Sequence, residues 1–592
     1  MSALDFTARA LALRATQQIK QGGSVILNGA RADGQADDAA ALNGFIAHGG
    51  FVDFPQGDYR VGTTLEVSSD THIRMAPGAR LLPGTANTTM VSIQGTAPAA
   101  WVALTSNIAK GAKMWTHTSG AYSVGQWVEF RSNALCTSGP NAGIGSKIAC
   151  VRKIVKKTGT GPYTYTLNKG VLDHFNTADS AEVGMPTMVE NVILENLTLN
   201  REDYTTHISY GIYLRYCANV RIINPTIIGS KDKVGADVVS PDGIKVNYGC
   251  FGVEIENPTL KHLGWYGISV AGEQVRIWGG FAEDVRHAVS IVYTPYGGPT
   301  DVLVNGMTAN NTTLSAFDAH DTGRDIVFDN CVANGAGDDG FQFRTNGVRA
   351  RGCTARGSAV DGFSDGPGAT GHVLIGCVAD ANGRIGYNFT GRAHLTDCDA
   401  LANTNASGGA MQLQSGGAVR GGRFTGNGNV FRIYDAPLLV EGVHAPADAT
   451  QNLFATAITG VGGRFNKVQF RNNHIPGYAN NALFPRQQAA RTAGDLPPIT
   501  SGNILSDGAA GAEWSGEATL VGGAVTVATT AAKRVTATNW AEDIVCRVDF
   551  RRVTPGGTVG DLYVESVTSG TGFVIRSTSA ADTSKVRWTV EL

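Results

Sequence analysis

The chain has 592 residues with 48 basic and 50 acidic side chains, a formal net charge of −2, which argues against nucleic acid or a membrane surface as the main partner. Charged residues make up 17% of the sequence, below the roughly 25% of an average domain, and the 76 glycines are nearly twice the usual share, so much of the length goes into turns. No run of 18 apolar residues occurs, and the opening MSALDFTARALALRATQQIK is broken by charge and lacks a small-residue cleavage site, so neither a transmembrane helix nor a signal peptide is expected.

In chain order, residues 1–21 read as a helical segment. Residues 22–97 contain GARADGQADDAAALNGFIAHGGFVDFPQGDYRV, in which Asp37 and Asp38 precede a short apolar helix as N-caps do, Gly49-Gly50 ends it and FVDF starts a strand. Residues 98–185 read as short strands parted by Gly/Ser/Thr turns (SVGQWVEFRS, KIACVRKIV, YTYTLNK), an inserted β excursion. Residues 186–475 read as the main body of the chain, and within them 189–440 are self-similar: VENVILENLTL, NVRIINPTII, FGVEIENPTL, QVRIWGGFA, DVLVNGMTA and DIVFDNCVA recur at a period of about 20 to 30 residues. Each is followed by a second short strand such as YGIYL, DGIKV, YGISV, HAVSI or DGFQF, with no amphipathic helix between. Short stacked strands of this kind predict an all-β chain built as a right-handed parallel β-helix. Cys331, Cys353, Cys377 and Cys398 fall at matching places in successive repeats and are expected to be reduced and interior. Residues 476–510, with Pro-Pro and polar residues, read as a linker, and 511–592 as a small Val/Thr-rich β domain whose size favours trimerisation to supply a core.

The DG…DD…AL…GG…V.FP.G.Y pattern resembles the opening of the pectate-lyase-like superfamily of β-helix proteins, over roughly residues 22–95 and again 186–475; this implies that the short helix caps the stack. The ending GDLYVESVTSGTGFVIRSTSAADTSKVRWTVEL resembles the C-terminus of phage tail-fibre and tailspike proteins. That resemblance implies a homotrimer in a virion tail, attached through its N-terminus and acting outside the cell on the bacterial surface.

Coils stack like neighbouring strands, about 4.8 Å apart, so residues one period apart become surface neighbours. One column then holds Tyr210, Asp242, Tyr266, His287, Ser315, Asp339, Asp361 and Ile385. Around its middle lie three coils dense in ionisable groups, which supply the candidate catalytic residues Arg286, His287, Asp318, His320, Asp339 and Arg344. Candidate substrate contacts are Asp242, Lys245, Trp265, Tyr266, Tyr293, Asp338, Asp361 and Arg384. The stretch SAFDAHDTGRDIVFDNCVANGAGDDGF resembles the YGFDPH…V.H..G.DGF region of alginate C5-epimerases and related polysaccharide lyases. Asp318 and His320 match the FD.H positions; the motif's tyrosine is Ser315 here, and the Arg-His pair lies one coil earlier, at Arg286-His287. The resemblance implies an acid–base site on a uronic-acid polymer.

The residue types suit β-elimination of a uronate. An arginine, Arg286 or Arg344, pairs with the sugar carboxylate; a histidine, His287 or His320, takes the C5 proton at neutral pH. Asp318 or Asp339 orients the imidazole or, if burial keeps it protonated, donates to the substrate, and Tyr266 or Tyr293 protonates the leaving oxygen. The expected function is therefore depolymerisation of an acidic bacterial exopolysaccharide or capsule. Two alternatives are a glycoside hydrolase using the Asp318 and Asp339 carboxylates and a non-catalytic polysaccharide-binding adhesin. No cofactor or metal is expected: GAGDDG satisfies GxGxxG without a crossover helix, and GDDG lacks the alternating spacing of a calcium loop.

Overall fold

The computed structural model describes residues 23–592 apart from 85–88, 137–145, 201–209, 230–241, 293, 321, 404–408, 428, 434–436, 446–451, 457–467, 477–498, 502–503, 507–514, 529–546, 569–571 and 592. The expected N-terminal helical segment and most of the expected linker lie outside the described residues. Two compact units divide the chain close to residue 353, the second including 354–365 and 370–592.

In the first unit, ten short strands from Gly23–Ser24 to Arg349–Arg351 stack in parallel, each one coil further along the chain. The expected parallel β-helix is what the chain forms. Its interior is made by alternation: along Val189–Glu195, Cys217–Ile223 and Phe251–Glu256 the residues Val192, Val220 and Val253 pair in register and are buried, as are Leu194, Ile222 and Ile255. Between Thr71–Met75 and its neighbour Val189–Glu195 the chain leaves the stack and returns. The excursion is a six-stranded antiparallel sheet running from Trp101–Ala103 to Glu182–Gly184, with Trp115, Tyr122, Phe130, Tyr165 and Phe175 in its own core.

The short helix forms at Ala39–Ile46, burying Ala39, Leu42 and Ile46. Its expected capping differs in detail. Asp37, not Asp38, accepts the first helical amide, from Ala39 at 3.0 Å, whereas the buried Asp38 carboxylate accepts the amides of Arg31 and Ala32 and ties down the preceding loop.

In the second unit, six strands from His372–Ile375 to Ile499–Ser501 stack in parallel. An internal ladder of Asn382, Asn403 and Asn427 links side-chain amide to side-chain carbonyl at 2.9 and 2.8 Å, satisfying buried polar groups along the stack. At its C-terminal end, two antiparallel three-stranded sheets enclose Leu520, Val527, Phe573, Ile575, Val586 and Trp588. This module has a small core within one chain.

The eight described cysteines are free and buried, Cys331, Cys353, Cys377 and Cys398 at no more than 1% exposure. Interior packing keeps reagents from these four thiols, so they are inert while the chain is folded. Peptide mapping after treatment with a thiol reagent is expected to find all four unmodified in the native protein and all four labelled in guanidinium; rapid native labelling would displace them from the interior.

Candidate active site

At the second strand of successive coils in the first unit a four-residue unit recurs: Tyr210-Gly-Ile-Tyr213, Asp242-Gly-Ile-Lys245, Tyr266-Gly-Ile-Ser269, His287-Ala-Val-Ser290, Ser315-Ala-Phe-Asp318 and Asp339-Gly-Phe-Gln342. Its third residue, Ile212, Ile244, Ile268, Val289, Phe317 or Phe341, is buried in the interior, and the Phe317 and Phe341 rings stack 4.7 Å apart. The second must be small where coils meet: a Cβ on Gly243 would lie 2.6 Å from the Gly267 carbonyl oxygen. Polar chemistry is left to the first and fourth positions. In the first, Tyr210 pairs with Asp242 and Tyr266 with His287; in the fourth, the register runs Tyr213, Lys245, Ser269, Ser290, Asp318, Gln342.

Asp318, fully buried, is the centre of the fourth-position column. Arg344 grips it with both arms of its guanidinium: Nε donates to Oδ1 at 3.0 Å and Nη2 donates to Oδ2. His320 Nε2 lies 2.8 Å from the same Oδ2 and 2.6 Å from Arg344 Nη2. That nitrogen serves one neighbour at a time, accepting from Arg344 through its lone pair or donating to Asp318 when it carries a proton. Burial alone would raise the Asp318 pKa, but the hydrogen bond and charge of His320 and the charges of Arg344 and His287 outweigh it and hold the carboxyl well below the usual carboxylate range. Asp318 is thus a buried anion, which removes the option of a protonated Asp318 donating to substrate.

His287, 3% exposed, is one coil earlier in the first-position column. Its Nδ1 lies 2.5 Å from the Ser315 carbonyl oxygen, an acceptor only, so Nδ1 carries the proton and the Nε2 lone pair is free to act as a base. Burial pushes the His287 pKa down to about 4 against the opposing pull of Asp318 and the Ser315 carbonyl, so the ring is neutral at neutral pH. The Tyr266 ring is 5.4 Å away, and burial above all raises the Tyr266 pKa, keeping its phenol protonated. Beside them the Arg286 guanidinium lies 3.8 Å over the Trp265 ring, which is 37% exposed, and meets no carboxylate among the described residues.

The remaining expected residues are placed as follows. Asp339 is buried with Gln342 Nε2 donating to it at 3.3 Å, and Asp338 accepts from the Ser315 hydroxyl at 3.3 Å. Asp242 and Lys245 stand 3.5 Å apart in their own coil. Asp361 and Arg384 belong to the second unit and are bound to each other, with Nε to Oδ1 at 2.8 Å and further bonds to Asp361 from Asn388 and the Ile385 amide. Tyr293 lies outside the described residues. Arg344, expected as one of two guanidinium groups for substrate, is already occupied by Asp318. Sequence reasoning overlooked the Ser315 carbonyl, a main-chain atom without residue-type signal. It also overlooked the fourth-position column, which was visible in the four-residue units once these were aligned to their ends.

The inserted sheet is fastened to the loop following the His287 strand. Ser146 Oγ donates to the Thr294 carbonyl at 2.7 Å, and the amides of Lys147 and Gly297 donate to the carbonyls of Pro295 and Lys147 at 2.9 and 2.7 Å.

Residues 100–187 match the family model of the K1 capsule-specific polysaccharide lyase Rider domain, and residues 512–591 that of the K1 capsule-specific polysaccharide lyase C-terminal domain. Over 515 residues the chain is 31% identical to a capsule K1-specific depolymerase of Klebsiella phage K64-1, a match covering 83% of this chain and 55% of that protein. The chain therefore spans about half the length of this curated relative. Two solved phage tailspikes share the architecture: gp61 of Pseudomonas phage phi297, at TM-score 0.60 and 15% identity over 96% of this chain and 98% of that one, and gp49 of Pseudomonas phage LKA1, at TM-score 0.53 and 13% identity over 96% and 99%. At such identities the likeness is one of fold, and the chain has the parallel β-helix fold of these phage tailspike proteins.

Proposed function

We propose that this chain is a tailspike-type depolymerase that cleaves an acidic bacterial exopolysaccharide or capsule by β-elimination. The observation that carries the reading is the pairing of a neutral histidine, His287, fixed through Nδ1 on a main-chain carbonyl, with the adjacent Arg286, whose guanidinium meets no carboxylate among the described residues. Its similarity to a capsule K1-specific depolymerase, and to two domains of K1 capsule-specific polysaccharide lyase, supports the same substrate class and reaction type. The tailspike fold supports action at the bacterial surface from a phage tail, as a homotrimer attached through its N-terminal end.

In this reading Arg286 binds the uronate carboxylate bidentately and draws charge from C5, making its proton removable. His287 Nε2 takes that proton, the C–H electrons become the C4–C5 double bond, and the C4–O bond breaks. The Tyr266 phenol gives its proton to the departing glycosidic oxygen. Asp318, ionised and buried, stabilises the imidazolium formed on His287, and Arg344 and His320 keep Asp318 ionised.

Products separate this reading from its rivals. With an acidic polysaccharide from a candidate host, the expected outcome is rising ultraviolet absorbance from the unsaturated uronate, in proportion to new reducing ends. Reducing ends without absorbance would make the protein a hydrolase, and an intact polymer that still binds would make it an adhesin.

A further inference from the structure

The fourth-position column that carries Asp318 also passes, three coils earlier, through Lys245. At about 4.8 Å per coil Lys245 lies ~14 Å along the stack from Asp318 and, two coils away, ~10 Å from the coil that carries Arg286, a span that a short oligosaccharide bridges. Lys245 Nζ lies 4.8 Å from the centre of the half-buried Tyr210 ring and 3.5 Å from Asp242 Oδ2. The Tyr210 and Tyr213 rings are 5.0 Å apart, and the Tyr213 hydroxyl accepts from Asn247 Nδ2 at 2.8 Å, which fixes its ring. Asp242 in turn is held by Ser269 Oγ at 2.9 Å. The cluster is therefore a pre-set arrangement in which one ammonium faces the partly exposed Tyr210 ring and the Tyr213 ring stands beside that ring. Burial opposes the charge on Lys245, but Asp242 and Tyr210 outweigh it and raise its pKa, so it is a cation at neutral pH.

Tyrosine faces pack against the C–H surfaces of a sugar ring, and an ammonium is a point charge for a carboxylate. We infer that Tyr210, Tyr213 and Lys245 form a second binding site for an acidic sugar of the same polymer chain, three coils on the N-terminal side of Asp318. The polymer then lies along the stacking axis, with one uronate at Arg286 and another held at Lys245, and the enzyme reads the spacing between the two charges. This inference rests on the proposed depolymerase reading.

The test uses the full chain with a polysaccharide that the wild type cleaves. A distant site that holds substrate and transition state alike alters KM far more than kcat. Lys245→Met and Tyr213→Ala are each expected to raise KM for the polymer tenfold or more with kcat falling no more than threefold, and Lys245→Arg to restore most of the affinity. Calorimetric titration of uncleaved oligosaccharides into His287→Ala protein supplies the second readout. Affinity should rise at least tenfold once the oligosaccharide spans both sites, and adding Lys245→Met, or reducing the sugar carboxyls to alcohols, should abolish that rise. An unchanged KM in Lys245→Met, or a length-dependent rise that survives it, overturns the second site while leaving the active site standing. If the wild type cleaves no acidic polysaccharide, the lyase reading falls and the titration alone decides the binding site, absence of binding overturning it.

Discussion

His287→Ala is expected to lower turnover of the polymer by roughly a hundredfold to ten-thousandfold, the range for loss of a positioned general base, with the circular dichroism of the fold unchanged. The size follows from placement. With Nδ1 bound to the Ser315 carbonyl, Nε2 is the one lone pair the ring offers, and no other nitrogen in its column can replace it. The pH profile gives an independent check. The base works when neutral, and burial has moved its pKa in the free protein from 6.5 to about 4, so the acid limb of kcat/KM should fall near pH 4 and activity should persist between pH 5 and 6. Stability runs with the same sign: the unfolded chain binds a proton at this histidine below 6.5 while the folded chain does so only near 4, so the fold loses stability as pH drops through that interval. Activity and dichroism must therefore be followed together. An acid limb at 6.5 with the fold intact, or wild-type turnover in His287→Ala, would move the proton transfer elsewhere.

Why the fold was legible in the sequence while the active groups were only partly so has a physical reason. Coil period and interior are properties of residue type: an apolar residue every second position, Gly or Ala where carbonyls crowd at Gly211, Gly243 and Gly267, and a cysteine at each matching corner. Any such sequence must stack this way to bury that face. The first-position column could be read for the same reason, since register carries it from coil to coil. Pairing among side chains that leave the stack is different, because it depends on reach. Arg286 and Arg344 are alike in the sequence, yet one lies on the Trp265 ring and the other is bound to Asp318. Likewise Asp318 and Asp361 both sit in stretches dense in charge, but Asp361 is held by Arg384, Asn388 and a main-chain amide. What distinguishes these carboxylates is the set of groups around each, which residue type does not encode.

The Asp318–Arg344 pair separates scaffold from chemistry. Arg344→Met leaves the fully buried Asp318 carboxylate with His320 as its remaining close side-chain partner, and breaking a buried pair in this way costs on the order of 3–5 kcal/mol, read as a lowered melting temperature. Asp318→Asn is expected to cost less, about 1.5–3 kcal/mol for the lost charged hydrogen bonds, because the Arg344 side chain is 30% exposed and can turn to water. In the double variant Asp318→Asn, Arg344→Met no uncompensated charge remains, so stability should recover relative to Arg344→Met alone, a coupling that a double-mutant cycle measures directly. Turnover should not recover with it. Proton abstraction puts a positive charge on His287, Asp318 is the anion that raises the basicity of that ring, and an asparagine leaves the imidazolium unsupported. Both variants that carry the asparagine are thus expected to lose roughly a hundredfold or more in kcat, whatever their melting temperatures. Were activity to return with stability in the double variant, the pair would be holding the coils together and nothing more, and the negative charge needed opposite His287 would have to come from Asp339 or from the substrate.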